Sequence, residues 1–192
     1  MAKILFYDLE TTGLKSDKNG IHQLSAIVDI DGEVIEAINL KMKPFESDII
    51  EESALEKCNV TLETIMSYDS PISQKIVLDK LLNRYVDKYN TKDKFHLSGY
   101  NNASFDNQFL REYFLKCKDE WFGSYFWSDT IDVMSLASYK LQNKRHELKK
   151  FRLSDVSAYL GIEVEQERLH DALYDVELTR KIYYKLFFNR NV

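Results

Sequence analysis

Glycine and proline are scarce in this chain, at six and two residues among 192. That excludes long flexible linkers, and it favours a single domain over residues 1–192. Cysteine is as scarce, with only Cys58 and Cys117. Two thiols cannot build a disulfide framework, and neither sits in a metal-ligand spacing. No apolar run is long enough to cross a bilayer. Met1-Ala2-Lys3 leads into a short apolar stretch broken by Asp8, unlike a secretion signal. These absences predict a soluble, intracellular, cytoplasmic protein with reduced thiols and no membrane partner. Excess positive charge is also missing: the formal net charge is −5. That argues against tight non-specific binding of nucleic acid by the surface as a whole and leaves only local patches for it.

What the chain does contain is a globular balance of 44% apolar and 30% charged residues, enough to bury a sizeable core. Residues 3–8, KILFYD, are apolar on both alternating faces, as in a central strand covered on both sides. Residues 22–30 and 33–42 are two further strand-like runs joined by Asp31-Gly32, a two-residue hairpin signal. Helical spacing predicts helices over 51–58 (stopped at Asn59), 72–89, 104–117, about 131–141, 153–160 (stopped at Gly161) and about 171–187. The 72–89 helix is read from Ile72, Ile76, Leu81, Tyr85 and Tyr89, and 95–100 reads as a strand. Strands first, then alternation of strand and helix, imply an α/β layer fold with a mixed sheet.

Within this frame several acids stand where apolar residues are expected. Asp8 and Glu10 are two apart and share a strand face with Ile4 and Phe6. A strand ending at Tyr7, with both acids solvated, is the plainer reading. Asp106 precedes Leu110, Tyr113, Phe114 and Cys117 on the apolar stripe of its helix. The competing reading is a first-turn acid favoured by the helix dipole. Asp175 lies one turn after Ala172, beside the stripe Val176, Thr179, Tyr183 and Leu186. His170, five residues before Asp175, would point roughly 140° away on an ideal helix and so fits better in the preceding loop. Buried ionised carboxylates are costly unless paired, and no Lys or Arg interleaves these motifs closely enough to pair them all. Mg²⁺ or Mn²⁺, hard cations that prefer oxygen ligands, explain such a set economically.

These residues carry a resemblance. Asp8-x-Glu10 within YDLETTGL, NASFD ending at Asp106, and HDALYD from His170 to Asp175 resemble the three motifs of the DEDDh 3′–5′ exonucleases. This is the DnaQ-like family that includes the proofreading subunit of the bacterial replicative polymerase. The resemblance runs from about residue 3 to about 187. It implies a ribonuclease-H-like three-layer fold, with a mixed five-stranded sheet flanked by helices. It further implies two Mg²⁺ (or Mn²⁺) ions. Asp8, Glu10 and Asp175 would hold one, Asp8 would bridge to the other, and Asp106 would support the second, partly through water. His170 would be the general base. Two such ions, about 3.5–4 Å apart, suit phosphodiester hydrolysis because they engage both entering and leaving oxygens. Histidine takes a proton near neutral pH without tuning.

The implied substrate is the single-stranded or frayed 3′ end of DNA, released as nucleoside 5′-monophosphates. Backbone around Leu9 and Thr11 would meet the terminal nucleotide, Leu14 would wedge against its base and Phe105 would stack, unless both side chains merely pack in the core. One departure concerns the helix SALEKCNV: proofreading relatives end it in His-Gly after an initial acid, whereas this chain has Ser53, Cys58 and Asn59. A second feature is the segment 140–152, with Lys140, Lys144, Arg145, Lys149, Lys150 and Arg152 against Glu147 alone. It reads either as a phosphate track or as a solvated loop. An exoribonuclease of the same family, and a non-catalytic or polymerase-associated proofreading module, are the alternatives. The end of the sequence at Val192, just past the last expected helix, favours a free-standing enzyme. A polymerase partner or a homodimer stays open.

Overall fold

A computed structural model describes residues 2–169 and 171–188. The chain opens with three antiparallel strands, β1 (Lys3–Thr11), β2 (Ile21–Ile30) and β3 (Glu33–Lys41). Asp31 and Gly32, both at positive φ (53° and 92°), turn the β2–β3 hairpin as their sequence predicts. Helices α1 (Glu52–Lys57), α2 (Leu62–Met66) and α3 (Pro71–Tyr85) follow. Strand β4 (Phe95–Gly99) then pairs parallel to β1. After α4 (Asp106–Lys116) and α5 (Phe122–Tyr125), strand β5 (Phe126–Asp132) pairs parallel to β4. The chain finishes with α6 (Val133–Lys140), α7 (Leu153–Tyr159) and α8 (Ala172–Phe188). The sheet order is β3-β2-β1-β4-β5, so β1 is central. This is the mixed five-stranded sheet that the resemblance implied.

Side chains alternate across β1 and build two cores. Leu5, Tyr7 and Leu9 pack with Leu78 and Leu82 of α3 and Leu110 and Phe114 of α4. Ile4 and Phe6 pack on the opposite face with Val133 and Ala137 of α6, Val156 of α7, and Val176 and Ile182 of α8. The result is three layers, and Asp8 and Glu10 continue the Ile4–Phe6 face toward α8. A buried ion pair fastens α8 to the hairpin. Arg180 Nε donates to Asp29 Oδ2 (2.7 Å), its Nη2 to the Gly32 carbonyl (2.8 Å), and Tyr184 Oη donates to Asp29 Oδ1 (2.8 Å).

Three expectations are corrected. The 72–89 helix stops at Tyr85, because Val86 is extended (φ −130°, ψ 124°). Its buried face is Lys75, Leu78, Leu81 and Leu82, while Ile72, Ile76 and Tyr89 are exposed. The buried Lys75 explains the rotation: its ammonium pairs with Asp79 and Asp119 and lies 4.0 Å over the Phe114 ring. Finally, residues 126–132 form the edge strand β5, and the helix placed at about 131–141 begins only at Val133. β5 exposes Ser128 and Asp129 and so shows no alternating apolar signal.

Candidate active site

Asp8 and Glu10 lie near the carboxyl end of β1. Asp175 lies in the first turn of α8, whose amino end is capped by Asp171: its Oδ1 accepts from the amides of Leu173 (3.0 Å) and Tyr174 (3.1 Å). One carboxylate oxygen from each of Asp8, Glu10 and Asp175 lies within 4.8 Å of the others. Asp106, the first residue of α4, reaches β1, where its Oδ1 accepts the Leu9 amide (3.2 Å). The amide expected to meet a nucleotide is thus engaged with Asp106. The loop before Asp106 is shaped by Asp132, whose carboxylate accepts from the amides of Asn101 (3.3 Å), Ala103 (3.1 Å) and Ser135 (3.0 Å).

The electrostatics follow from burial and like charge. Burial, then repulsion by Asp106, Glu10 and Asp175, holds Asp8 well above the ordinary carboxylate range. Burial pushes Glu10 up to about 7, against a hydrogen bond from Cys58 and with repulsion from Asp175 and Asp106 added. Burial also pushes Asp106 up to about 7, although its own and the Leu9 amides oppose it. No Lys or Arg forms an ion pair with Asp8, Glu10 or Asp106 among the described residues. Crowded carboxylates offering oxygen ligands, with Asp8, Glu10 and Asp106 outside any ion pair among the described residues, fit a hard divalent ion.

The remaining expected residues divide. Thr11 is buried, with Oγ1 donating to the Gly13 carbonyl (2.8 Å). Leu14 is 69% exposed beside this strand end, free to meet a ligand. Phe105 is half-buried and its ring lies 4.9 Å from Phe109, so it is at least partly core packing. His170 lies outside the described residues. Of the departures in and just after α1, Ser53 and Asn59 are exposed, and the half-buried Cys58 donates from Sγ to Glu10 Oε2 (2.9 Å). A thiol therefore stands against one of the acids.

Sequence reasoning missed a buried polar hub around Thr12 and Asn19. Thr12 Oγ1 donates to the Ile49 carbonyl (2.8 Å) and accepts the Gly20 amide (2.9 Å). Asn19 Nδ2 donates to the Ile49 carbonyl (2.9 Å) and to Glu51 Oε1 (3.2 Å). The hub ties the loop after β1 to the segment leading into α1. The turn dipeptide Asn19-Gly20 was its only sequence signal.

Comparison with known proteins agrees with this geometry. The family model RNase_T, described as an exonuclease, matches residues 5–183. Two curated relatives are PolC-type DNA polymerase III proteins. One, from Oceanobacillus iheyensis, is 28% identical over 183 residues, covering 94% of this chain and 11% of that protein. The other, from Mycoplasmopsis pulmonis, is 26% identical over 177 residues, covering 92% and 11%. This chain therefore spans 11% of the length of each. Among solved structures, E. coli exonuclease I in complex with a dT13 oligonucleotide superposes with a TM-score of 0.76. It is 23% identical, over 96% of this chain and 41% of that one. The zinc-bound form of an E. coli exonuclease I–ssDNA complex gives a TM-score of 0.79 at 24% identity, over 99% and 41%. At these identities the likeness establishes the shared fold.

Proposed function

The chain belongs to the RNase_T family of exonuclease domains, and from that premise we propose that it is a metal-dependent 3′–5′ exonuclease that removes nucleoside 5′-monophosphates from single-stranded or frayed 3′ ends of DNA. The observation that carries this reading is the convergence of Asp8, Glu10 and Asp175, from two elements remote in sequence, within 4.8 Å of one another.

Two divalent ions, Mg²⁺ or Mn²⁺, bound by Asp8, Glu10, Asp106 and Asp175, would supply an activated water and neutralise charge on the departing oxygen. The chain's own contribution is to hold the acids in place. β1 fixes Asp8 and Glu10, the capped first turn of α8 fixes Asp175, and the Leu9 amide orients Asp106. His170, next to the cap residue Asp171, is the proposed general base. It takes the proton of the water as the new P–O bond forms and the P–O3′ bond breaks, and the released 3′ oxygen is protonated from solvent. Leu14, exposed beside β1, is the proposed contact to the terminal base.

DNA is preferred over RNA because two of the fold's neighbours are exonuclease I bound to DNA oligonucleotides. A polymerase-associated proofreading role is the second reading, favoured by the PolC-type relatives. The test is a time course on 3′- and 5′-labelled DNA and RNA with Mg²⁺, Mn²⁺ or chelator. A released mononucleotide from the 3′ label and a descending ladder from the 5′ label, both dependent on the ion, are expected. No trimming with either ion overturns the proposal, and faster trimming of RNA reassigns the substrate. Asp8→Ala and Asp175→Ala should abolish turnover with the fold retained.

A further inference from the structure

A chain with a formal net charge of −5 and a crowd of carboxylates at its site must still draw in a polyanion. The segment 140–152 offers the compensation, with six cations against Glu147. Its course is fixed by packing. Lys140 Nζ lies 4.9 Å over the ring of Phe187, toward the carboxyl end of α8 and away from Asp175. Leu141 and Leu148 are buried in the core beneath α8. The Arg145 guanidinium stacks 4.9 Å from the Phe151 ring and donates to the Leu148 carbonyl (2.7 Å). The carbonyl of Phe151 then accepts from Tyr100 Oη (2.9 Å). Tyr100 directly follows β4 and begins the loop that Asp132 holds and that presents Asp106. The segment therefore runs from the carboxyl end of α8 to a contact with Tyr100, at the start of the loop that presents Asp106.

The cations at its carboxyl-terminal end are available. Lys149, Lys150 and Arg152 are exposed, and none forms an ion pair among the described residues. Glu147, the segment's single acid, is already bonded by Tyr159 Oη (2.7 Å). We propose that Lys149, Lys150 and Arg152 form a phosphate track that holds the single strand on the 5′ side of the nucleotide being removed. The track rests on the exonuclease reading. It reads backbone charge, not base or sugar, and so adds affinity that grows with strand length.

The experiment compares kcat/KM on a dT20 oligonucleotide and on an unphosphorylated dT dinucleotide, whose single phosphate is the scissile one and leaves none for the track. The variant is Lys149→Ser/Lys150→Ser. An equal loss of charge at the exposed Lys80 and Lys92 (Lys80→Ser/Lys92→Ser) serves as control. The track variant should lower the dT20-to-dinucleotide ratio of kcat/KM about tenfold, through KM. Its plot of log KM against log salt should be shallower by about 1.4, at roughly 0.7 per lost phosphate contact on a single strand. Loss on both substrates alike, an unchanged salt slope, or an equal effect from the control pair would overturn the track. If wild-type protein degrades neither substrate, the exonuclease reading fails. The track is then judged on dT20 binding alone, with the same change of slope expected.

Discussion

Single residues in this protein carry opposite pH signatures that can be separated by substitution. Glu10 and Asp106 titrate at about 7 in the folded chain. Their raised values mean that the metal-free folded state keeps protons the unfolded state has lost. Their contribution to stability is full below pH about 4 and is lost as pH rises through about 7. Asp8→Asn should therefore raise the melting temperature in chelator at pH 8, with a gain that shrinks toward pH 5. A relief of about 2 kcal/mol corresponds to about 4–8 °C for a chain of this size. A variant that melts no higher at pH 8 would remove Asp8 from a repulsive cluster. His22 behaves in the other direction. It is 1% exposed, both ring nitrogens lack a hydrogen-bond partner, and burial lowers its pKa to about 4. A depressed histidine gives stability that is full above pH about 6.5 and is lost as pH falls through about 4. His22→Leu should flatten the acid side of the stability curve by about 3 kcal/mol, read from urea melts at pH 4 and pH 7.

Among the elements, α8 has the most to do. It brings Asp175 to β1, and it is fastened by a buried pair whose acceptor, Asp29, sits on β2. Asp29→Ala leaves Arg180 buried without its partner, a loss of about 3–5 kcal/mol. Chemical denaturation should show that loss, and activity should fall with it where the melting range meets the assay temperature. Retention of full stability would mean that the Gly32 carbonyl alone satisfies the guanidinium. The same logic explains which elements were legible. β1, the β2–β3 hairpin and α4 follow from local pattern, because their apolar faces meet a core on the side the sequence indicates. The exposed face of α3 misled, since a lysine rather than Ile72 or Ile76 is buried. β5 was missed because an edge strand needs no apolar alternation.

At the scale of the whole molecule, a divalent ion should act as a stabiliser by mass action. At about a hundredfold excess over its dissociation constant it adds about 2.7 kcal/mol, or about 5–11 °C. Thermal melts with and without Mn²⁺ should show this for the wild type and much less for Asp175→Ala. Equal shifts would place the ion elsewhere. No helix among the described residues is long and apolar enough to cross a membrane. The chain's motifs, read in order, were enough to name the family, and they single out the acids proposed for the site, because residue type and spacing carry that chemistry wherever the chain goes. Sequence alone also set the strand alternation that puts Asp8 and Glu10 on one face. Only the tertiary structure decided that α8 delivers Asp175 to that face, and that Cys58 meets Glu10. It also decided that Asp132 shapes the loop before Asp106 and that the basic segment is tied to the start of that loop through Tyr100. These are contacts between residues tens of positions apart. Local periodicity says which face of an element is buried, but their partners are chosen by how the layers pack.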